Sequence, residues 1–315
     1  MASSAEQSVR LHLRAILTLL LALSGLAGFP APTAAAAQTT FATPEQAIDS
    51  LVAAVRAGRA DELMKILGPG SGKLVRSGDA VADAQSRQKF VAAYQDGSRI
   101  ERDGDTRALL FVGKDDWPFP FPIVSRGDGW RFDAAAGVEE IIARRIGANE
   151  LDAIEVCHAY VAAQREYAEK DRNQDGLVEY AQRFLSTPGK QDGLYWQAAE
   201  GEEESPIGPL MVKARAEGYG SEPKATRQPY HGYYYRILKG QGPAARDGAY
   251  DYVWKGHMIG GFALVAFPAQ YGVSGVMTFI VNHDDVVYQK DLGPRTAELA
   301  EKMTRFDPDE SWKTP

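Results

Sequence analysis

The chain has 315 residues, and its 44% hydrophobic content is typical of a globular protein with a packed core. Its formal net charge is −7. Nucleic acid and anionic membranes both require a basic protein surface, so neither is an expected partner. A single cysteine, Cys157, excludes a fold that depends on an intrachain disulfide.

The first residues have the pattern of a secretory signal. Residues 15–29 are apolar and uncharged, residues 30–37 are mostly small, and Gln38 is the first polar residue after them. We therefore expect residues 1–37 to be a cleaved signal peptide and the mature protein to be periplasmic or extracellular, soluble and not inserted in a membrane. The alternative is an uncleaved anchor, but the apolar run is shorter than the roughly twenty residues that span a bilayer.

Residues 38–136 show helical patterns followed by strand patterns. Thr43 and Pro44 suit the cap and the first turn of a helix over 41–59, and the next helices are predicted over 61–67 and 81–94. The period then changes to that of strands, which are predicted at 98–102, 107–112, 119–124 and 129–132. Helices followed by an antiparallel meander predict an α+β domain.

This first domain resembles the nuclear-transport-factor-2-like (NTF2-like) domains. The resemblance covers about residues 40–133 and lies in the TPEQA opening helix, the short second helix and the late segment IVSRGDGWRFD. It implies a cone-shaped fold that often encloses a ligand pocket and in some members an active site. The Arg126-Gly127-Asp128 triplet in that segment is interpreted as an ordinary hairpin turn, because Gly and Asp suit such turns.

Residues 137–315 are predicted to form a second α+β domain, a long helix packed on an antiparallel sheet. The helix covers 137–170, with a break at Gly147 and a new N-cap at Asn149, and the domains are expected to join there. Further elements are predicted as a helix at 209–217, strands at 231–238, 261–267, 276–281 and 286–290, and a terminal helix at 295–304. The overall fold class is therefore α+β with two domains.

Two resemblances concern the later part of the chain. The segments WPFPFPIV, RFLSTPGKQDGLYW, PYHGYYYRIL and GGFALVAFPAQYGVSGVMTFIVNHDDVVYQKDLG are similar to the signature blocks of an exported bacterial family, domain-of-unknown-function family 2950 (DUF2950). That resemblance implies an extracytoplasmic location and no established activity. The second half also resembles the globular heads of type IV pilin-like proteins, although the apolar run before Gly28-Phe29 departs from the pilin pattern.

The sharpest local motif is a loop that resembles half of a calcium-binding EF-hand. Oxygen-bearing side chains alternate before a glycine, as Ca²⁺ coordination requires. The predicted ligands are Asp171, Asn173, Asp175, Leu177, Glu179 and Gln182. Gln182 replaces the carboxylate that usually closes such a site, so a weak site is expected. The alternative is a solvated turn that ends the preceding helix.

Other motifs give no catalytic signature. The histidines at 158, 231, 257 and 283 lack zinc spacing, Ser274 lacks the second glycine of a nucleophile elbow, and no phosphate loop is present. Cys157 lies on an apolar helical stripe and is interpreted as a packing residue. The tyrosine-rich strand at 233–235 is interpreted as part of a sheet covered by a helix, with an exposed binding face as the alternative.

These patterns favour an exported, non-enzymatic envelope protein with a binding or assembly role that calcium stabilises. Its partner would be an envelope protein or a small ligand. One alternative is a periplasmic hydrolase or isomerase that uses a pocket in the first domain, which depends only on analogy of fold. Another is a secretion or pilus-related accessory component.

Overall fold

The computed structural model describes residues 38–199, 201–219 and 228–315. The predicted signal peptide at 1–37 therefore lies outside the described residues. Gln38–Pro315 group as one compact unit. Among the described residues, no helix combines the length and the apolar character needed to cross a membrane.

The helices mostly begin and end where the local sequence signals lie. Thr43 caps the first helix by accepting a hydrogen bond from the backbone N–H of Gln46, and Asp79 caps the fourth. The helices are α1 (Pro44–Arg56), α2 (Ala60–Leu67), α3 (Gly72–Val75), α4 (Ala80–Asp96), α5 (Ala134–Tyr167), α6 (Gly208–Ala216) and α7 (Thr296–Lys302).

The strands form two main antiparallel sheets, which confirms the α+β class. The first-sheet strands are β1 (Ser98–Asp103), β2 (Arg107–Val112), β3 (Trp117–Pro118), β4 (Ile123–Ser125) and β5 (Trp130–Phe132). The others are β6 (Tyr233–Leu238), β7 (Gly240–Gln241), β8 (Tyr250–Asp251), β9 (Val253–Trp254), β10 (His257–Met258), β11 (Ala263–Pro268), β12 (Met277–Asn282) and β13 (Tyr288–Asp291). The first sheet has the order β1-β2-β4-β5 with β3 paired to β2, and the second has the order β13-β12-β11-β6.

Two separate groups of buried apolar side chains form the cores. One lies between α1, α2 and the first sheet and includes Leu51, Leu110 and Phe132. The other lies between the second half of α5 and the second sheet and includes Cys157 and Phe279. The cores follow the order of the chain, but the division into domains at 136/137 stays a prediction, because the described residues group as one unit.

Burial confirms the packing role of Cys157. Its side chain is fully buried, and that burial raises the pKa of its thiol to about 12. Tyr233 is likewise fully buried against the second core, while Tyr234 and Tyr235 are partly buried. The tyrosines of β6 therefore belong mainly to the packed sheet.

The predicted break at Gly147 is wrong, because α5 runs unbroken through it over 34 residues. A helical glycine costs only about 1 kcal/mol relative to alanine, and the helix is held by packing on both sides of this position. Asn149 does not cap a new helix. Its Nδ2 amide donates a hydrogen bond to the carbonyl of Ser274 over 2.8 Å, so it joins α5 to the turn before β12.

Two glycines of α5 have opposite surroundings. A Cβ added at Gly137 would lie 2.3 Å from the Cγ atom of the Phe121 ring, whereas a Cβ at Gly147 would meet nothing within 4 Å. Phe121 itself is fully buried. The first glycine is therefore required by close packing, and the second is not.

Four predicted strands, those at 119–124, 231–238, 261–267 and 286–290, begin two or more residues later than expected. Pro120 and Pro122 interrupt the run at 119–124, and since proline has no N–H to donate, regular pairing resumes only at Ile123. His231 does not begin β6; it lies in a turn with a φ of 48°. The turn directs its imidazole away from the sheet and toward α5.

Candidate functional site

A cavity of about 640 Å³ lies along one face of α5. The α5 residues that line the cavity, from Ile141 to Asp152, lie on a single face of the helix. That stretch of helix is about 16 Å long. Side chains of α4 line it along the chain from Ala82 to Ala93, and core residues of α1, α2 and β2 also contribute. Most of the wall is apolar, and it includes Leu51, Val55, Leu63, Leu67, Phe90, Val112, Trp117 and Phe119.

The helix α4 forms a wall of this cavity instead of packing into a core. None of its 17 residues is buried, although Phe90 and Tyr94 contact the first core. The residues that α4 contributes to the wall are mixed. Three are apolar (Ala82, Phe90 and Ala93), and five are polar or charged (Asp83, Gln85, Ser86, Arg87 and Lys89). A volume of this size is within the range of small-molecule sites.

Charged groups lie among the apolar residues. Arg145 donates from Nη1 to the carbonyl of Lys73 (2.9 Å) and from Nη2 to that of Leu74 (2.6 Å). Burial lowers the pKa of Arg145 and raises the pKa of the Asp83 carboxyl, which also lines the cavity. Both shifts indicate that water screens these charges poorly.

At the Asp152 end of the cavity, His231 lies between two carboxylates. Its Nδ1 is hydrogen-bonded to Asp152, and its Nε2 to Glu217 at 2.8 Å. Burial by itself lowers the pKa of His231, but the hydrogen bonds to the two carboxylates outweigh it, so that the pKa is raised. The raised pKa of His231 favours the imidazolium form, in which both ring nitrogens donate to the carboxylates.

Asp79 fixes the backbone around this histidine. Its buried carboxylate accepts hydrogen bonds from the Tyr219 hydroxyl (3.0 Å) and from the backbone N–H of Gly232 (2.9 Å). It also accepts from the N–H groups of Val81 and Ala82 at the start of α4. One carboxylate therefore ties the N-terminus of α4 to the turn that carries His231.

This arrangement is poorly suited to general-base catalysis. A base needs a ring nitrogen with a free lone pair, and in the imidazolium form of His231 both nitrogens donate to carboxylates. The same cavity end nevertheless contains a carboxylate, a histidine and a tyrosine, since Asp152 and Tyr219 also line it.

The predicted calcium ligands form a compact turn. The carboxylate of Asp171 accepts hydrogen bonds from the N–H groups of Gln174 and Gly176, both at 2.8 Å, and that of Asp175 accepts from Leu177 at 2.9 Å. These bonds are typical of an Asx turn and also of a calcium loop.

The structure brings only part of the predicted ligand set together. Ligand atoms of Asp175, Glu179 and His257 lie within 4.8 Å of one another, and sequence spacing does not indicate the histidine. Asn173 directs its Nδ2 amide at both carboxylates, at 2.9 Å from Asp175 and 2.8 Å from Glu179. Calcium binding would require this amide to rotate so that its oxygen faces the ion.

Gln182 is directed elsewhere. Its Nε2 donates to the carbonyl of Gly256 over 2.6 Å, and its Oε1 accepts from the ammonium of Lys239. The side chain of Leu177 is exposed, which suits a residue that would offer only its backbone carbonyl. The carboxylate oxygens that converge here are of the kind that binds a divalent cation weakly. The imidazole nitrogen of His257 beside them is a ligand that Ca²⁺ does not favour.

Sequence reasoning missed the cavity residues. Arg145 and the pair of His231 with Asp152 come from segments that are far apart in the chain, and their spacing matches no local motif. The signal that could have indicated His231 is the following Gly232, because an isolated glycine within a strand pattern suggests a bulge or a close backbone approach.

Comparison with protein families gives one match. The family described as a protein of unknown function (DUF2950) matches residues 38–314. No curated protein and no solved structure matches the chain. The NTF2-like and pilin-like resemblances therefore stay predictions. Because the match covers nearly all of the described residues, the chain belongs to the DUF2950 family.

Proposed function

We propose that this protein is an exported, non-enzymatic binding protein of the cell envelope and that the cavity along α5 holds a small, largely apolar molecule. The cavity of about 640 Å³ with its apolar wall is the observation that carries the proposal. An empty apolar space of this size forfeits packing contacts, and a bound apolar molecule would restore them.

Binding is tested with a neutral apolar fluorescent probe, N-phenyl-1-naphthylamine. Ala93 lines the cavity, whereas its neighbour Ala92 is exposed and does not. We expect the wild type to bind the probe, Ala93→Phe to weaken binding by about tenfold or more, since a phenyl ring fills part of the space, and Ala92→Phe to leave it unchanged. Absence of binding in the wild type, or equal effects of the two variants, would contradict the proposal.

The enzyme alternative is supported by the polar end of the cavity. Asp152, Tyr219 and His231 are group types used in hydrolysis and isomerisation. A panel of chromogenic esters and amides tests it, and turnover that His231→Asn abolishes would favour an enzyme. The absence of turnover, combined with probe binding, would favour the binding protein.

Calcium is proposed as a stabilising ion of the loop at 171–182. The support is the set of oxygen donors there, and the expected dissociation constant is about 10⁻⁴ to 10⁻³ M. At ten times that concentration calcium would stabilise the fold by about 1.4 kcal/mol. Calorimetric titration and thermal melts should show binding in the wild type and none in Asp171→Ala combined with Asp175→Ala. If calcium does not change the melting temperature of the wild type, the loop is only a turn.

Export is supported by the pattern of residues 1–37 and is tested by cell fractionation with N-terminal sequencing. We expect the mature chain to begin near Gln38 and to be found in the periplasm or the medium. The secretion-accessory alternative predicts recovery in appendage preparations. A chain that retains its first residues in the membrane fraction would contradict the proposal.

A further inference from the structure

Arg145 is held on the cavity wall by backbone carbonyls and not by a carboxylate. Its neighbour Arg144 also lines the cavity but pairs with Glu140 at 2.7 Å. Among the described residues, no acidic side chain lies within ion-pair distance of Arg145; its two hydrogen bonds go to the carbonyls of Lys73 and Leu74.

A partly buried guanidinium without a direct ion pair is costly, because it has lost hydration. The charge of Asp83 offsets only part of that loss, so that burial still lowers the pKa of Arg145. The two carbonyl contacts occupy one N–H on each terminal nitrogen and hold the planar group in place. The remaining N–H groups are available to a further acceptor. A fixed, incompletely satisfied guanidinium on a cavity wall is the kind of group that recognises a carboxylate.

The cavity as a whole favours an anion over a cation. Four cationic residues (Arg87, Lys89, Arg144 and Arg145) and two acidic ones (Asp83 and Asp152) line it. The charge of Asp152 is further compensated by His231. Burial raises the pKa of Asp83, which reduces the repulsion that this carboxyl would exert on an anion.

We propose that the cavity binds an amphipathic carboxylate, with its head group on Arg145 and its apolar tail against the side chains of Leu51, Leu67 and Phe119. This inference rests on the proposed binding function and specifies the class of ligand. A polar head and an apolar tail would match a wall that combines charged groups with a mostly apolar lining.

The experiment compares three ligands of equal chain length, dodecanoate, dodecanol and dodecylammonium, by displacement of the neutral probe. Dodecanoate should bind about tenfold to a hundredfold more tightly than dodecanol, which is the range for a charge-assisted hydrogen-bonded contact. Equal binding of acid and alcohol, or tighter binding of the amine, would overturn the inference. If none of the three binds and the probe does not bind either, the proposed binding function itself fails.

Variants locate the head group. Arg145→Met should remove the preference for the acid and leave dodecanol binding unchanged, whereas Arg144→Met removes one charge from the same helix face and should retain most of the preference. Equal losses of the preference for the acid in the two variants would mean that the overall positive charge of the cavity attracts the acid. That result would overturn the assignment of the head group to Arg145. If Arg145→Met does not fold, Arg145→Lys replaces it, and the comparison of acid with alcohol in the wild type still decides the ligand class.

Discussion

The imidazolium of His231 makes a testable contribution to stability. We consider His231→Asn, because asparagine tolerates the positive φ of 48° at this position. The substitution removes the charged hydrogen bonds to Asp152 and Glu217. It also leaves two carboxylates close together without a cation between them.

The size of the effect follows from the burial of the three groups. The side chains of His231 and Glu217 are 17% and 25% exposed, so their hydrogen bond is in the range of charged contacts, about 1.5–3 kcal/mol. Asp152 is 34% exposed, and we reduce its contribution to about 1 kcal/mol for solvent screening. The expected loss in the free energy of unfolding is therefore roughly 3 kcal/mol while the wild-type histidine is protonated.

The effect should depend on pH with a definite sign. Because the folded-state pKa of His231 is raised, its contribution is complete below the unfolded pKa of about 6.5 and is lost as pH rises through the folded pKa. Urea unfolding of wild type and variant at about pH 6 and about pH 9 measures this. The difference between them should be large at the lower pH and small at the higher.

His158→Asn is the matched control. His158 pairs with Asp285 at the surface, where its side chain is 49% exposed, so the loss should be about 0–1 kcal/mol. If wild type and His231→Asn differ equally at both pH values, or if the control shows the same pH dependence, the two-carboxylate argument is refuted.

Three further predictions concern packing and reactivity. Gly137→Ala should lower the free energy of unfolding by about 1–3 kcal/mol, because its methyl group would overlap an aromatic ring. Gly147→Ala on the same helix should raise that free energy by about 0.5–1 kcal/mol. Thermal melts measure both variants, and changes of the same sign would contradict the reasoning. Gln164→Leu should cost about 2–4 kcal/mol in urea unfolding, since the buried amide satisfies both the N–H and the carbonyl of Ala181, and a loss below 1 kcal/mol would contradict this. Thiol labelling of Cys157 should follow global unfolding, because burial raises its pKa to about 12, and rapid labelling of the folded protein would show that the site opens locally.

Local sequence signals determined most secondary-structure elements. Thr43 with Pro44 fixed the start of α1, and the alternation in RALLFV gave β2 at the predicted bounds. The hairpin predicted around 282–285 joins β12 and β13, although the connection between the strands covers 283–287, and Asp285 in it has a positive φ of 64°. Such features depend on neighbouring residues only, which is why sequence alone predicts them.

Predictions failed where distant contacts outweighed a local preference. Gly147 signals a break, but the packing of α5 on both cores keeps the helix continuous. His231 has the apolar and aromatic neighbours of a strand, yet it lies in a turn. There the carboxylate of Asp79 accepts a hydrogen bond from the N–H of Gly232. Neither contact can be inferred from residues close in the chain.

The two candidate sites divide in the same way. The loop from Asp171 to Gln182 was predictable because its oxygen donors are close in sequence, and whether it binds calcium stays a prediction. His257 lies beside Asp175 and Glu179 because the segment after α5 meets β10, where the N–H of Tyr180 donates to the carbonyl of Met258. The sequence by itself determined the fold class, the family and this loop. The tertiary structure decided the cavity and the position of Arg145 on its wall, because a helix face lines a cavity only when other segments pack around it and leave space.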